Sequence, residues 1–195
     1  MKTLCMDTSH RHLVLVLLED GKVMASSQQE AWKRQSETIF VELIALMEKV
    51  GWQVDDLDEV VITRGPGSYT GIRIVMSIAK VLCTQKPIAL YSISTLLLYA
   101  GLEDCCVMLD ARGKRAYFGD CCNGIVKKEC ILTLDEIATI KNRKIIGDTD
   151  LIGLEKPSIN FVENFAQLRP YYEKVENVHA FVPVYLKEDS AYLVK

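Results

Sequence analysis

The sequence predicts an α/β fold built from a repeated β-β-β-α unit, and three observations carry that prediction. The first is a restart in the chain. Asp7 closes an apolar strand-like run and is followed 14 positions later by Gly21 of a turn; Asp110 closes a second such run and meets Gly124 after the same interval. Val23 and Val126 follow in step, so the halves are offset by 103 residues. The second is the order of periodicities: three strand-like runs, a helical run, a strand, a helix. The third is an acid at the tip of each half's first strand, which would face each other across a cleft.

The elements follow in order. Residues 3–6 read as a strand ending at Asp7, and 13–18 as a continuous apolar strand. Asp20-Gly21 marks a tight hairpin turn, so 22–27 returns as the third strand. Ile39, Leu43, Met47 and Val50 share one face of a helix over 36–50, with Ser36 as its N-cap and Gly51 as its stop. Residues 59–63 form a strand. Gly65-Pro66-Gly67-Ser68-Tyr69-Thr70-Gly71 follows and opens a helix over 70–84; a strand over 88–91 and a short helix over 95–99 complete the half. The second half is reduced: strands at 107–110, 115–121 and 125–132, a helix over 134–140, a strand over 144–146 and a helix over 160–168 that Arg169-Pro170 stops. Two domains, 1–103 and 104–195, are expected.

Composition limits the function. The 195 residues are 49% apolar and 25% charged with a net charge of -3, so the chain lacks the basic face that unaided nucleic-acid binding requires. No signal peptide is read, and the longest apolar stretch, 87–102, is shorter than the ~20 residues of a membrane span. A soluble, cytoplasmic protein is expected. The seven cysteines include no C-x-x-C spacing, and two of the pairs are adjacent residues that point to opposite strand faces. They read as reduced, structural thiols. His10 and His12 share a strand face, but no third ligand stands near them, and no metal site is assigned.

The glycine loop is an anion-site candidate. Its glycines permit unusual backbone conformations, Ser68 or Thr70 can cap the helix, and Arg73 stands in the first turn. It is neither a Walker loop, since Ile72 follows Gly71, nor a dinucleotide fingerprint, since Thr70 stands in the third glycine position. The candidate anion or nucleotide site therefore gathers Asp7, Thr8, Ser9, Gly65, Gly67, Ser68, Thr70, Arg73 and Asp110. A structural turn competes with it. The helix behind the loop carries its polar residues, Arg73, Ser77, Lys80 and Thr84, on one narrow stripe and is otherwise apolar. The helix over 36–50 is similarly apolar. A short chain lacks the layers to cover two such helices on every side, so they predict a protein interface formed by Ser36, Ile39, Phe40, Leu43, Ile44, Met47, Ile72, Val75, Met76 and Ala79.

These segments resemble a known family. Leu4 to Ser9, Glu19-Asp20-Gly21, Arg34-Gln35-Ser36-Glu37, Gly65 to Arg73, Ala79-Lys80, Ser94-Thr95-Leu96 and Asp110-Ala111-Arg112 occur in the order seen in the TsaB (YeaZ) family. Gly147-Asp148 and Pro183-Val184-Tyr185-Leu186-Lys187 resemble its later landmarks, although coverage is patchy beyond Arg112. The resemblance implies the actin/Hsp70/sugar-kinase (ASKHA) architecture. It implies a non-catalytic scaffold and activator for threonylcarbamoyl transfer to the adenosine beside the tRNA anticodon. The partners it implies are a catalytic TsaD-type subunit, which carries the metal, and a TsaE-type ATPase. Self-association through the same helices is also implied. tRNA would be met through the complex, and any ATP-Mg would sit on the partner subunits, with no cofactor here. The residues themselves agree: none of the three histidines is spaced i, i+4 with another, as a metal-binding helix of that transferase type requires, and no peptidase-like nucleophile–base pair is evident. The alternative is an autonomous ATP-Mg-binding phosphotransferase or ATPase using Asp7 and Asp110. Gln35, where the family commonly has His, and Val75, where Gly is frequent, are departures.

Overall fold

The computed structural model describes residues 1–31 and 34–186. Lys187 of the last quoted segment lies outside the described residues. The first half forms β1 (Lys2–Asp7), β2 (His12–Glu19), β3 (Lys22–Glu30), α1 (Gln35–Val50), β4 (Glu59–Thr63), α2 (Tyr69–Gln85), β5 (Ala89–Ile93) and α3 (Thr95–Ala100). The second forms β6 (Cys105–Asp110), β7 (Arg115–Cys122), β8 (Ile125–Thr133), α4 (Leu134–Ala138), β9 (Ile145–Gly147), α5 (Phe161–Gln167) and β10 (Glu173–Lys174).

Two sheets result, ordered β10-β5-β4-β1-β2-β3 and β8-β7-β6-β9. In each, the first strand of the half pairs antiparallel with the second and parallel with the strand after the helix. The repeat seen in sequence is thus a repeat of topology. Asp7 lies opposite Val14 and Asp110 opposite Ala116, at equivalent ends of β1 and β6. The fold is the duplicated α/β architecture expected, with a reduced second half.

The alternation of strand side chains sorts the core into layers. Leu4, Met6, Leu13, Leu15 and Leu17 face α1 and α2, whereas Cys5, Val14, Val16 and Leu18 face α3, α5 and the second sheet. Both faces of β1 and β2 are therefore covered, which is why 13–18 reads as an unbroken apolar run. The far face of the second sheet has a smaller cluster, Cys106, Met108, Ala116, Phe118 and Ile137. All seven cysteines are free thiols, and burial pushes Cys5, Cys105 and Cys121 up to about 12. Among the described residues, no helix is long and apolar enough to cross a membrane.

Several boundaries shift. Ser36 does not cap α1: the helix begins at Gln35 with Arg34 in the cap position and no side-chain cap. Gln35 is buried, and its Nε2 donates to the His10 carbonyl at 2.9 Å, fastening the helix start to the β1–β2 loop. Ser68, not Thr70, caps α2, its Oγ accepting from the Gly71 N–H. The helix predicted over 134–140 ends at Ala138.

Candidate functional site

The glycine loop lies against the end of β1. A Cβ on Gly71 would stand 1.9 Å from the Thr8 carbonyl oxygen, and one on Gly67 would stand 2.3 Å from that of Ser9. The glycines serve close packing of backbone on backbone. Hydrogen bonds stitch this seam: Ser68 N–H donates to the Ser9 carbonyl at 2.6 Å, and Thr8 Oγ1 to the Gly71 carbonyl at 2.6 Å. Gly65, at φ +111, is approached by the Val184 carbonyl, while Val184 N–H donates to the Arg64 carbonyl. The side chain of Arg73 reaches Tyr69, donating to its hydroxyl at 2.9 Å, and Tyr69 stacks on Tyr185.

Asp7 is buried, and its Oδ1 accepts from Thr63 Oγ1 at 2.5 Å and from Ser9 N–H at 3.0 Å. Ser9 Oγ is buried without a hydrogen-bond partner among the described residues. Asp110 holds its own loop, its Oδ1 accepting from Arg112 N–H. Between the two tips stands Asp148, 1% exposed. Nε2 of His10 lies 2.6 Å from its Oδ2, Lys156 Nζ donates to Oδ1 at 2.6 Å, and Asp110 N–H donates to Oδ2 at 2.8 Å; Arg11 Nε is 3.8 Å away. Burial pushes this carboxyl up, but the contacts with His10, Lys156 and Asp110 outweigh it and hold it well below the usual carboxylate range. His12 instead packs on Phe161, and burial lowers its pKa. Asp148, Lys156 and Thr63 escaped the sequence reading as site residues. An acid placed directly after a strand-ending glycine, as at Gly147-Asp148, was the available signal.

A Mg–nucleotide in the cleft would need free carboxylate oxygens and free N–H donors. Thr63 and Ser9 occupy Asp7 Oδ1, the Ser68 N–H serves the seam and the Gly71 N–H serves the Ser68 cap. His10 and Lys156 fill the space beside Asp148. Among the described residues, no group of three or more His, Cys, Asp or Glu could hold a metal ion.

Burial corrects the expected interface. Ile39, Leu43, Met47, Ile72, Val75, Met76 and Ala79 belong to this chain's own core. α2 lies on the sheet face over β1, β4 and β5 and buries most of its apolar side chains there; Tyr69, Thr70, Arg73, Ser77, Val81, Thr84 and Gln85 remain exposed. On α1 the surplus persists: Phe40, Val41 and Ile44 are 56%, 68% and 57% exposed, beside exposed Ser36. Val75 fits the core fully buried, so its larger side chain does not stand on the surface.

Known proteins support the recognition. The family model described as TsaD, tRNA N6-adenosine threonylcarbamoyltransferase, matches residues 24–188. The tRNA threonylcarbamoyladenosine biosynthesis protein TsaB of Bacillus subtilis is 32% identical over 96 residues, 49% of this chain and 42% of that protein. An uncharacterised Mycobacterium tuberculosis protein is 30% identical over 117 residues, 59% of this chain and 52% of its own length. The matches thus span about half the length of these curated relatives. A Pseudomonas aeruginosa protein described as similar to peptidase YEAZ superposes with a TM-score of 0.79 at 21% identity, covering 95% of this chain and 99% of its own. YeaZ from the same organism gives 0.72 at 20% identity, with the same coverage. The TsaB-family resemblance read from the sequence is borne out.

Proposed function

The chain belongs to the TsaD family of tRNA N6-adenosine threonylcarbamoyltransferases, and from that premise we propose that it is a non-catalytic partner subunit in tRNA threonylcarbamoyladenosine biosynthesis. Its role is to scaffold and activate a catalytic TsaD-type subunit in the cytoplasm, alongside a TsaE-type ATPase, and tRNA meets the assembly as a whole. The observation that carries the reading is the apolar strip Phe40, Val41 and Ile44 on α1. Adjacent exposed apolar side chains on one helix are an unpartnered surface in an otherwise well-filled core. A second copy of the chain would compete for the same strip. The consumed donors around Asp7 and the glycine seam support a chain without a resident cofactor, ATP-Mg belonging to the partner subunits. The halves 1–103 and 104–195 act together as its two domains, with Asp148 tied to both.

Replacing Phe40 and Ile44 together by Glu tests this. Both side chains are exposed, so stability should change by only about ±0.5 kcal/mol per site. Co-purification with the TsaD-type subunit should be lost. A retained complex sinks the reading, as would unchanged threonylcarbamoyladenosine in tRNA after deletion of the gene.

A further inference from the structure

The β6–β7 loop holds an observation that the partner reading does not use. Among the described residues, five non-glycine residues have positive φ: Asp20, Arg112, Lys114, Asn123 and Asn142. Asp and Asn tolerate that conformation because their short polar side chains bond locally; long side chains do not. Arg112 at φ 61 and Lys114 at φ 57 flank Gly113 at φ 64, so three consecutive residues are left-handed. The turn closes through Ala111 N–H to the Arg115 carbonyl, and Arg112 N–H to Asp110 Oδ1. A glycine or asparagine would make this turn with less strain. Two cations stand there instead.

Their surroundings sharpen the point. Arg112, Gly113, Lys114 and Arg115 are all exposed. Among the described residues none of the three cations is in an ion pair, whereas Arg11, Arg64, Arg143, Lys144, Lys156 and Arg169 each are. The nearby carboxylates are otherwise used: Asp110 accepts the Arg112 backbone, Asp148 is shared by His10 and Lys156, and Glu136 closes the Thr133 cap. Strain retained at exposed, unpaired charges points to a use outside the fold.

We propose that Arg112, Lys114 and Arg115 form a phosphate-contacting tip that grips the RNA backbone. This rests on the reading above, in which the assembly's substrate is tRNA. Three cations give a weak, salt-sensitive grip that adds to what the partner subunits supply, in keeping with a net charge of -3.

The test titrates the full chain into fluorescently labelled, unmodified tRNA from about 25 to about 250 mM KCl, where three phosphate contacts give a log–log salt slope of about -2 to -3. The double variant Arg112→Gly, Lys114→Asn should bind more weakly at low salt, its slope reduced in size by about 1.4 to 1.8. Because both replacements suit positive φ, its melting temperature should equal or exceed the parent's, which separates lost contacts from lost structure. Arg115→Ala should remove a further share of the slope. Absence of salt-dependent RNA binding by the parent chain, or an unchanged slope in the double variant, overturns the proposal. Competition by poly-glutamate as effective as that by RNA also overturns it, since the tip would then serve an acidic protein. In a transfer assay with the partner subunits, the variant should raise KM for tRNA while the complex stays assembled. Failure of the subunit reading is distinct: transfer would then proceed without the chain.

Discussion

Gly71→Ala asks whether the glycine loop is a packed seam or a ligand cradle. Gly71 lies in the first turn of α2, where alanine would ordinarily stabilise a helix by about 1 kcal/mol. Here the new Cβ falls 1.9 Å from the Thr8 carbonyl oxygen, and real Cβ contacts do not come under 3.0 Å. The two backbones must therefore separate by roughly 1.1 Å, the difference between those distances. Both neighbouring hydrogen bonds, Thr8 Oγ1 to Gly71 O and Ser68 N to Ser9 O, start at 2.6 Å and would stretch beyond bonding range. Leaving two buried partners unsatisfied costs about 1–3 kcal/mol each. Set against the alanine gain, the net loss is about 1–5 kcal/mol, or about 2–20 °C in melting temperature for a chain of this size. Thermal unfolding followed by circular dichroism measures it. Gly51→Ala is the control: its φ is +70 but nothing lies within 4 Å, so the loss should be about 1 kcal/mol. A Gly71→Ala protein as stable as its parent would mean that the seam has slack, and the closed-loop reading would fail.

Two further perturbations probe the ties between distant segments. Glu59 is 2% exposed, accepts from Thr3 Oγ1 at 2.6 Å, and is gripped by both terminal nitrogens of Arg169. Arg169→Leu strands that carboxylate and should cost about 3–5 kcal/mol in urea unfolding, with most of the loss recovered by adding Glu59→Gln; no recovery would deny the pair its role. Asp148 has a folded pKa depressed below its unfolded value, so its contribution is fully present above about pH 4 and is lost as pH falls below that. Asp148→Asn should lower the urea midpoint at neutral pH and flatten its decline between about pH 5 and pH 2.5, whereas parallel curves for parent and variant would refute the assignment.

The sequence by itself determined the elements, the repeat and the cleft acids. Strand alternation, the Asp20-Gly21 and Asn123-Gly124 turns and the 103-residue offset are local or periodic signals, and they survive intact in the two sheets. Family recognition also rested on contiguous segments. What only the tertiary structure decided was coverage. Helical periodicity says which residues share a face, but how many faces are covered depends on how wide a sheet lies beneath, and strands from distant parts of the chain build that width. So most of α2's apolar side chains, Tyr69 and Val81 excepted, proved to be core or packed against it, while Phe40, Val41 and Ile44 on α1 remained outside. Likewise, spacing allowed the glycines to serve a ligand or a turn. The choice lay with Thr8 and Ser9, some sixty positions earlier, whose carbonyls occupy the space a side chain would need. The role of Asp148 was set by the same kind of distant contact: its partners His10, Lys156 and Asp110 come from three separate stretches of chain and meet only when the two halves close on each other.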